Sequence, residues 1–242
     1  NTISKAINTI MNITYKKEKT FSIIVLFKPK ISYFKILLNF HSKNFSNIIL
    51  VNNSPEISLD SLKTSQVTII NNPDNIGLSS ALNVGILEAK KQGAKMVALF
   101  DQDTLLPDDF SQNMLKHMNS YQGDKKPALF SPVFFNHVTD DYGSIINFKP
   151  FRLIRSKPDK KKRVTHPQYV ITSGSFIPMS VLDDVGLMCE ELFIDFVDIE
   201  WCLRARTKGY EIVSFSQIEI AHYLGDSFVS FMGTNYPIHS PL

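Results

Sequence analysis

Two apolar, β-branched runs, Phe21-Ser22-Ile23-Ile24-Val25-Leu26-Phe27 and Asn47-Ile48-Ile49-Leu50-Val51, are bounded by turn-forming residues. This is the pattern of parallel strands buried on both faces. Between them, residues 31–40 carry apolar side chains at helical spacing. Residues 67–70 predict a third strand, and residues 77–92 a helix with Leu78, Leu82, Ile86 and Ala89 on one face and Gly93 as its stop. Residues 96–100 predict a fourth strand. Strands alternating with helices over short connections imply a Rossmann-like, mostly parallel sheet flanked by helices, whose ligands gather beyond the carboxyl ends of the strands.

The pattern loosens further on. Pro107-Asp108-Asp109 predicts a helix start, with acids complementing the dipole. Residues 128–135, 144–148 and 168–172 predict more strands, and residues 156–166 an exposed basic loop. Residues 193–197 alternate like a strand or extended entry to a helix ending near Lys208, with Gly209 as its stop. No internal repeat or domain-sized linker interrupts the chain. We therefore expect a polar arm over residues 1–20 and one domain over 21–242, its second half a smaller extension of one sheet.

Composition narrows the class without naming it. At 242 residues, 43% hydrophobic and 20% charged, the chain is long enough for a sizeable core. The net charge of +3 is concentrated in Lys157, Lys160, Lys161, Lys162 and Arg163, which argues against a nucleic-acid partner. That run reads as a solvated loop, or as a contact for anionic lipid head groups. Cys189 and Cys202 lack metal-ligand spacing and read as reduced thiols. No apolar run has membrane-spanning length, and the amino end lacks a secretory signal. A cytoplasmic protein is expected, with peripheral contact at the inner face of the plasma membrane left open.

The chemistry starts at the fourth strand, which empties into Asp101-Gln102-Asp103. Two carboxylates one residue apart can share a divalent cation that keeps positions for water and substrate phosphates, so the pair points to diphosphate chemistry. With 23 acidic residues in the chain, a solvated turn is the plain alternative. Asn52-Asn53-Ser54 and the stretch from Asn71 to Asn75 form two further polar strand exits. Asn75-Ile76-Gly77 opens a helix whose free N–H groups favour an anion; alternatively Asn75 caps the helix, while Gly77 and Gly85 allow close packing. Asp198, at a helix start, would be kept ionised as a general base must be. The plain alternative is that it only caps, with Glu200 pairing Arg204 and Trp201 in the core. Thr172-Ser173-Gly174-Ser175 can admit a sugar ring or be a simple turn. His222 is either structural or a ligand to metal or phosphate.

In this order, Val51-Asn52-Asn53-Ser54, Asn75-Ile76-Gly77 with Asn83-Val84-Gly85, Phe100-Asp101-Gln102-Asp103, Ser173-Gly174-Ser175, Phe193-Ile194-Asp195-Phe196-Val197-Asp198-Ile199-Glu200-Trp201-Cys202-Leu203-Arg204 and His222 with Gly225 resemble the family 2 inverting glycosyltransferases of the GT-A fold. Within that family they resemble the bacterial rhamnosyltransferase-like branch. The resemblance implies that Asp101 and Asp103, with His222, hold Mg²⁺ or Mn²⁺, Asp103 being the direct ligand. It implies that Phe27, Asn52, Asn75, Gly77, Asp101 and Gln102 line the donor site, that Ser173, Gly174, Asp195, Glu200 and Trp201 line the acceptor site, and that Asp198 is the catalytic base. The implied donor is dTDP-rhamnose, and the acceptor a glycan or lipid-linked saccharide of surface polysaccharide synthesis. Two departures stand out: Asn52 replaces a usual Asp, and Phe27-Lys28-Pro29 lacks the usual Tyr-Asn. Members also continue into a basic, aromatic segment beyond the position of Leu242.

Three rivals share parts of this pattern. A haloacid-dehalogenase-like phosphohydrolase wants a hydroxyl two places beyond its second Asp, where this chain has Leu105. A nucleotidyltransferase wants a Gly-rich loop where Phe27-Lys28-Pro29-Lys30 stands. A non-catalytic binder would hold the donor without turnover.

Overall fold

Strand β1 (Thr20–Leu26) divides its side chains strictly: Phe21, Ile23 and Val25 enter one core layer, Ile24 and Leu26 the other. Period-two alternation with both faces buried demands helices on each side. The computed structural model, which describes residues 14–136, 140–143, 145–149, 152–159, 161–222, 227–231 and 234–238, supplies them. Helix α1 (Ile31–Asn44) lays Phe34 and Leu38 on one face, and α2 (Gly77–Lys91) lays Leu82, Ile86 and Ala89 on the other. Strands β2 (Asn47–Asn52), β3 (Val67–Asn71) and β4 (Met96–Phe100) complete a parallel half-sheet with β1. Gly85 lets α2 press onto β1, since a Cβ there would lie 2.5 Å from Ile23 Cγ2.

The second half continues the same sheet. After β5 (Thr104–Leu105) and α3 (Phe110–Ser120) come β6 (Pro127–Asn136), β7 (Asp141–Tyr142), β8 (Ile145–Lys149), β9 (Arg152–Ser156) and β10 (Val164–Thr165). They are followed by β11 (Ser175–Pro178), α4 (Met179–Val185), α5 (Val197–Thr207), β12 (Glu211–His222), β13 (Ser227–Phe231) and β14 (Thr234–Ile238). The main order is β10-β12-β6-β11-β4-β1-β2-β3, while β8–β9 and β13–β14 are separate hairpins. β11 runs antiparallel between β4 and β6. The strand order reverses between β1 and β4, the crevice where such sheets bind ligands. No helix among the described residues is long and apolar enough to cross a membrane.

Three sequence expectations give way. Residues 168–172 form no strand; the ladder belongs to the shorter β11, which ends at Pro178. Residues 193–197 are not extended, because Phe193 (φ 52°, ψ −68°) centres a tight turn closed by Ile194 N–H on the Leu192 carbonyl and Phe196 (φ 64°) is left-handed. The expected basic loop contains β10, which pairs with Ser214 and Phe215 of β12.

Below the end of β4, His41 is 1% exposed and meets the Phe100 ring edge-on at 4.8 Å. Its Nδ1 lies 3.3 Å from Ser22 Oγ, and the ring also bonds the backbone of Thr104. Burial pushes its pKa down to about 3, with the Thr104 bond opposing. Unfolded, the ring titrates near 6.5, so between these values the unfolded chain binds the additional proton. The stability this neutral histidine contributes is complete above pH 6.5 and drains as pH falls toward 3, by about 2 kcal/mol between pH 7.5 and pH 5. His41→Gln is expected to flatten the acid slope of urea-unfolding free energy by about that amount; an unaltered slope would contradict the assignment.

Candidate active site

β4 delivers Asp101 and Asp103 to the carboxyl edge of the sheet, beside the exit of β1. Phe100, packed against Phe45 and Phe110 at ring separations of 5.5 and 6.0 Å, fixes where the strand ends. The Asp101 amide then donates to Ser173 Oγ (3.2 Å), and the Thr104 amide donates to the Asp101 carbonyl (3.3 Å). The Thr104 and Ser173 hydroxyls lie 2.6 Å apart, and His41 reaches the Thr104 backbone from beneath. This buried chain of polar groups sets the turn and leaves both aspartates partly exposed. Gln102 clasps β1: Phe27 N–H donates to Gln102 Oε1 (3.0 Å), and Gln102 Nε2 donates to the Phe27 carbonyl (3.1 Å).

Asp198 occupies the first turn of α5, where Ile199 N–H donates to its Oδ1 at 2.8 Å. Burial raises its pKa and the neighbouring Asp101 charge adds to the rise, while bonds from the Ile199 and Thr172 backbones pull it back. Thr172, whose backbone bonds Asp198, directly precedes Ser173, whose Oγ takes the Asp101 N–H, so the acidic helix start lies beside the paired-carboxylate turn. Short chemistry-bearing segments more than ninety positions apart in sequence are thereby joined.

The joint is made by the loop preceding α5. The Phe193 carbonyl accepts from Leu78 N–H (2.6 Å), Ser79 N–H (3.2 Å) and Ser79 Oγ (3.2 Å), occupying the start of α2. Asn83, 3% exposed, donates to the Met188 carbonyl and to Glu190 Oε1, each at 2.9 Å, and accepts from Met188 N–H at 2.9 Å. Gly77 (φ +82°) permits the contact, because a Cβ would sit 2.6 Å from Phe193 Cδ2 and 2.8 Å from its carbonyl oxygen. The anion site expected at this helix start is therefore filled by the protein's own carbonyl, with Asn75 Oδ1 taking Gly77 N–H at 3.1 Å.

Several expected ligand contacts become structural for similar reasons. Asn52, 1% exposed, spans the Ile57 carbonyl, Asn71 Oδ1 and Ser54 N–H, so it shapes the rim. Gly77 packs under Phe193. Ser173 (2% exposed) braces the paired-aspartate turn from behind, and Gly174 (φ +80°) lies where a Cβ would be 2.8 Å from both Pro132 and Ile220. Trp201 is 1% exposed and donates to the Gly186 carbonyl (2.9 Å), and Glu200 is held by Arg204 at 2.7 Å. Asp195 and Asn75 remain exposed at the rim. His222 places its backbone opposite Thr104 in the β5–β12 ladder; its side chain, like Gly225, lies outside the described residues. Thr104 and His41 were missed by sequence reasoning. A hydroxyl directly after Asp103 was the available signal for Thr104; a lone helical histidine offered none.

The donor set of the turn is two carboxylates, and among the described residues no group of three or more His, Cys, Asp or Glu side chains is gathered as a metal cage. Oxygen ligands of this kind fit a hard divalent cation that completes its shell from water and substrate.

A parallel half-sheet with a paired-aspartate turn at its switch point and an acidic helix start across the cleft is the arrangement of a GT-A glycosyltransferase. The family model for glycosyl transferase family 2 matches residues 33–186. The chain is 31% identical over 230 residues to the dTDP-rhamnosyl transferase RfbF of Shigella flexneri, covering 92% of this chain and 75% of that protein. It therefore belongs to glycosyl transferase family 2. Among solved structures, GalNAc-T7 with UDP, GalNAc and Mn²⁺ superposes with a TM-score of 0.67 at 13% identity, over 90% of this chain and 45% of that one. Residues 1–349 of TarS from S. aureus give 0.57 at 14% identity, over 84% and 60%. This chain thus spans about half the length of those two structures, which share its fold.

Gly77→Ala is expected to cost about 1–3 kcal/mol of stability by straining the backbone and displacing Phe193. Because the displaced loop carries the approach to Asp198, turnover should fall more than donor affinity. Denaturant unfolding and a kcat-against-Kd comparison check this, and unchanged stability and turnover would contradict it.

Proposed function

We propose that this family 2 enzyme is a metal-dependent, inverting rhamnosyltransferase that moves L-rhamnose from dTDP-rhamnose to a glycan or lipid-linked saccharide in bacterial surface polysaccharide synthesis. The observation that carries the mechanism is the proximity of Asp198 to the Asp101-Gln102-Asp103 turn through the Thr172–Ser173 backbone. The likeness to a protein named as a dTDP-rhamnosyl transferase supports the donor.

Asp101 and Asp103 would hold Mg²⁺ or Mn²⁺ against the donor diphosphate, and His222 is retained as a candidate third ligand. When bound, the cation supplies charge stabilisation to the leaving diphosphate. The Gln102–Phe27 clasp keeps the turn in register with β1, so the donor is oriented by backbone rather than by mobile side chains. Asp198 accepts the proton of the acceptor hydroxyl as that oxygen bonds to the anomeric carbon and the carbon–oxygen bond to phosphate breaks. Attack from the face opposite the departing diphosphate inverts the configuration. Burial beside Asp101 makes Asp198 a stronger proton acceptor once ionised. We place the reaction in the cytoplasm at the inner face of the plasma membrane, where lipid-linked acceptors reside.

A thermal-shift panel of nucleotide sugars with and without Mn²⁺ tests the donor. Selective stabilisation by dTDP-rhamnose is expected, since a ligand of the folded state alone raises its stability; stabilisation by a different nucleotide sugar only would replace rhamnose in the proposal. Asp198→Asn is expected to lower kcat by about 10²–10⁴-fold and spare donor binding. Asp103→Ala should abolish the Mn²⁺-dependent part of donor binding in calorimetry. Near-normal turnover in the first variant, or retained metal dependence in the second, would overturn the respective role.

A further inference from the structure

The sequence's one concentration of positive charge takes no part in the site above. Of its members, Lys157 is paired with Asp141, Lys160 lies outside the described residues, and Arg163 lines a cleft of about 1020 Å³. That cleft lies along the first part of β12, from Glu211 to Gln217. It contains Glu211, the first residue of the twelve-residue β12, whose last residue, His222, lies beside Thr104. Because β12 is bulged, Glu211 and Ala221 face Pro127 and Phe135 of β6, and at about 3.3 Å per residue the two ends are roughly 25–30 Å apart.

Four separate elements direct cations to this cleft: Lys116 from α3, Lys125 from the segment before β6, Arg163 from the approach to β10, and Arg206 from the last turn of α5. Among the described residues, none of these four forms an ion pair. The cations outnumber the acids of the lining: Glu211 accepts from Tyr121 Oη and faces His166 Nδ1 at 3.3 Å. Asp124 is the other acidic group of the lining. The arginines stand on anchored backbone, since Ser216 N–H donates to the Arg163 carbonyl at 3.2 Å and Arg206 is helical. Gathering like charges on fixed positions raises the energy of the folded chain. A partner of opposite charge relieves it, and guanidinium forks flanked by ammonium groups match phosphate oxygens.

We propose that this cleft is a second binding site, separate from the donor site, for a ligand carrying several phosphate charges. The chemistry is the same whether the phosphates belong to a soluble oligophosphate or to the head groups of an anionic bilayer, and the two sources are separable by experiment. Tripolyphosphate is titrated into the full chain with EDTA present, which removes any cation from the paired-aspartate turn. Binding is expected, falling at least tenfold in Arg163→Gln/Arg206→Gln and unchanged in Asp103→Ala. Retention of that binding in the double variant, its loss in Asp103→Ala, or equal binding of a tricarboxylate would overturn the proposal. In parallel, the chain is sedimented with phosphatidylglycerol or phosphatidylcholine vesicles. Cosedimentation with the anionic vesicles alone, lost in the double variant, assigns the phosphates to a bilayer; tripolyphosphate binding without cosedimentation assigns them to a soluble ligand. Binding of neither probe overturns the site, whatever the outcome of the donor experiments.

Discussion

One carbonyl holds this molecule's chemistry together. The start of α2 presents N–H groups that an anion would ordinarily satisfy, and the Phe193 oxygen takes two of them together with the Ser79 hydroxyl. Each such bond contributes about 0.5–1.5 kcal/mol net, while the positive-φ backbones at Phe193 and Phe196 cost on the order of 1–3 kcal/mol each. The bonds and the Asn83 clamp offset that strain, which is why the loop keeps an unfavourable backbone. What results is a fixed approach to α5 and hence a fixed place for Asp198.

The opposite wall is set by different means. Asp101 and Asp103 are carried on a strand buried to its last residue, and their turn is tied by hydroxyls and an imidazole. Neither wall depends on long surface side chains. Backbone geometry of this kind tolerates extensive sequence change, in keeping with shared folds at 13% and 14% identity. The rim of asparagines works in the same way: Asn53 donates to the Gly77 carbonyl at 3.0 Å and accepts from Asn72 at 2.7 Å, tying neighbouring strand exits together.

Much of this was legible in the chain. The first four strands and α2 followed from period-two and period-3.6 patterning because each buries its apolar face locally, and the Asp101–Asp103 tip was read directly from an apolar run ending in acids. The short β11 was misplaced since its neighbours are brought to it from distant β4 and β6, and no local pattern marks that pairing. Gly77, Asn52, Ser173 and Trp201 make structural contacts that no local pattern reveals, for a related reason. A motif records that a residue type is required at a position, but not whether the requirement comes from a ligand or from another part of the same chain. For Gly77 the requirement comes from Phe193, 116 positions away.

The insertion of β11 between β4 and β6 bears on how the chain can be divided. The two halves of the chain share one sheet, so a fragment ending before β11 would leave β4 with an unpaired, wholly apolar margin. Such margins recruit other chains. Excision of the amino-terminal half should thus yield an aggregating fragment rather than a minimal nucleotide-binding module, and grafting this scaffold onto other proteins requires both halves to travel together.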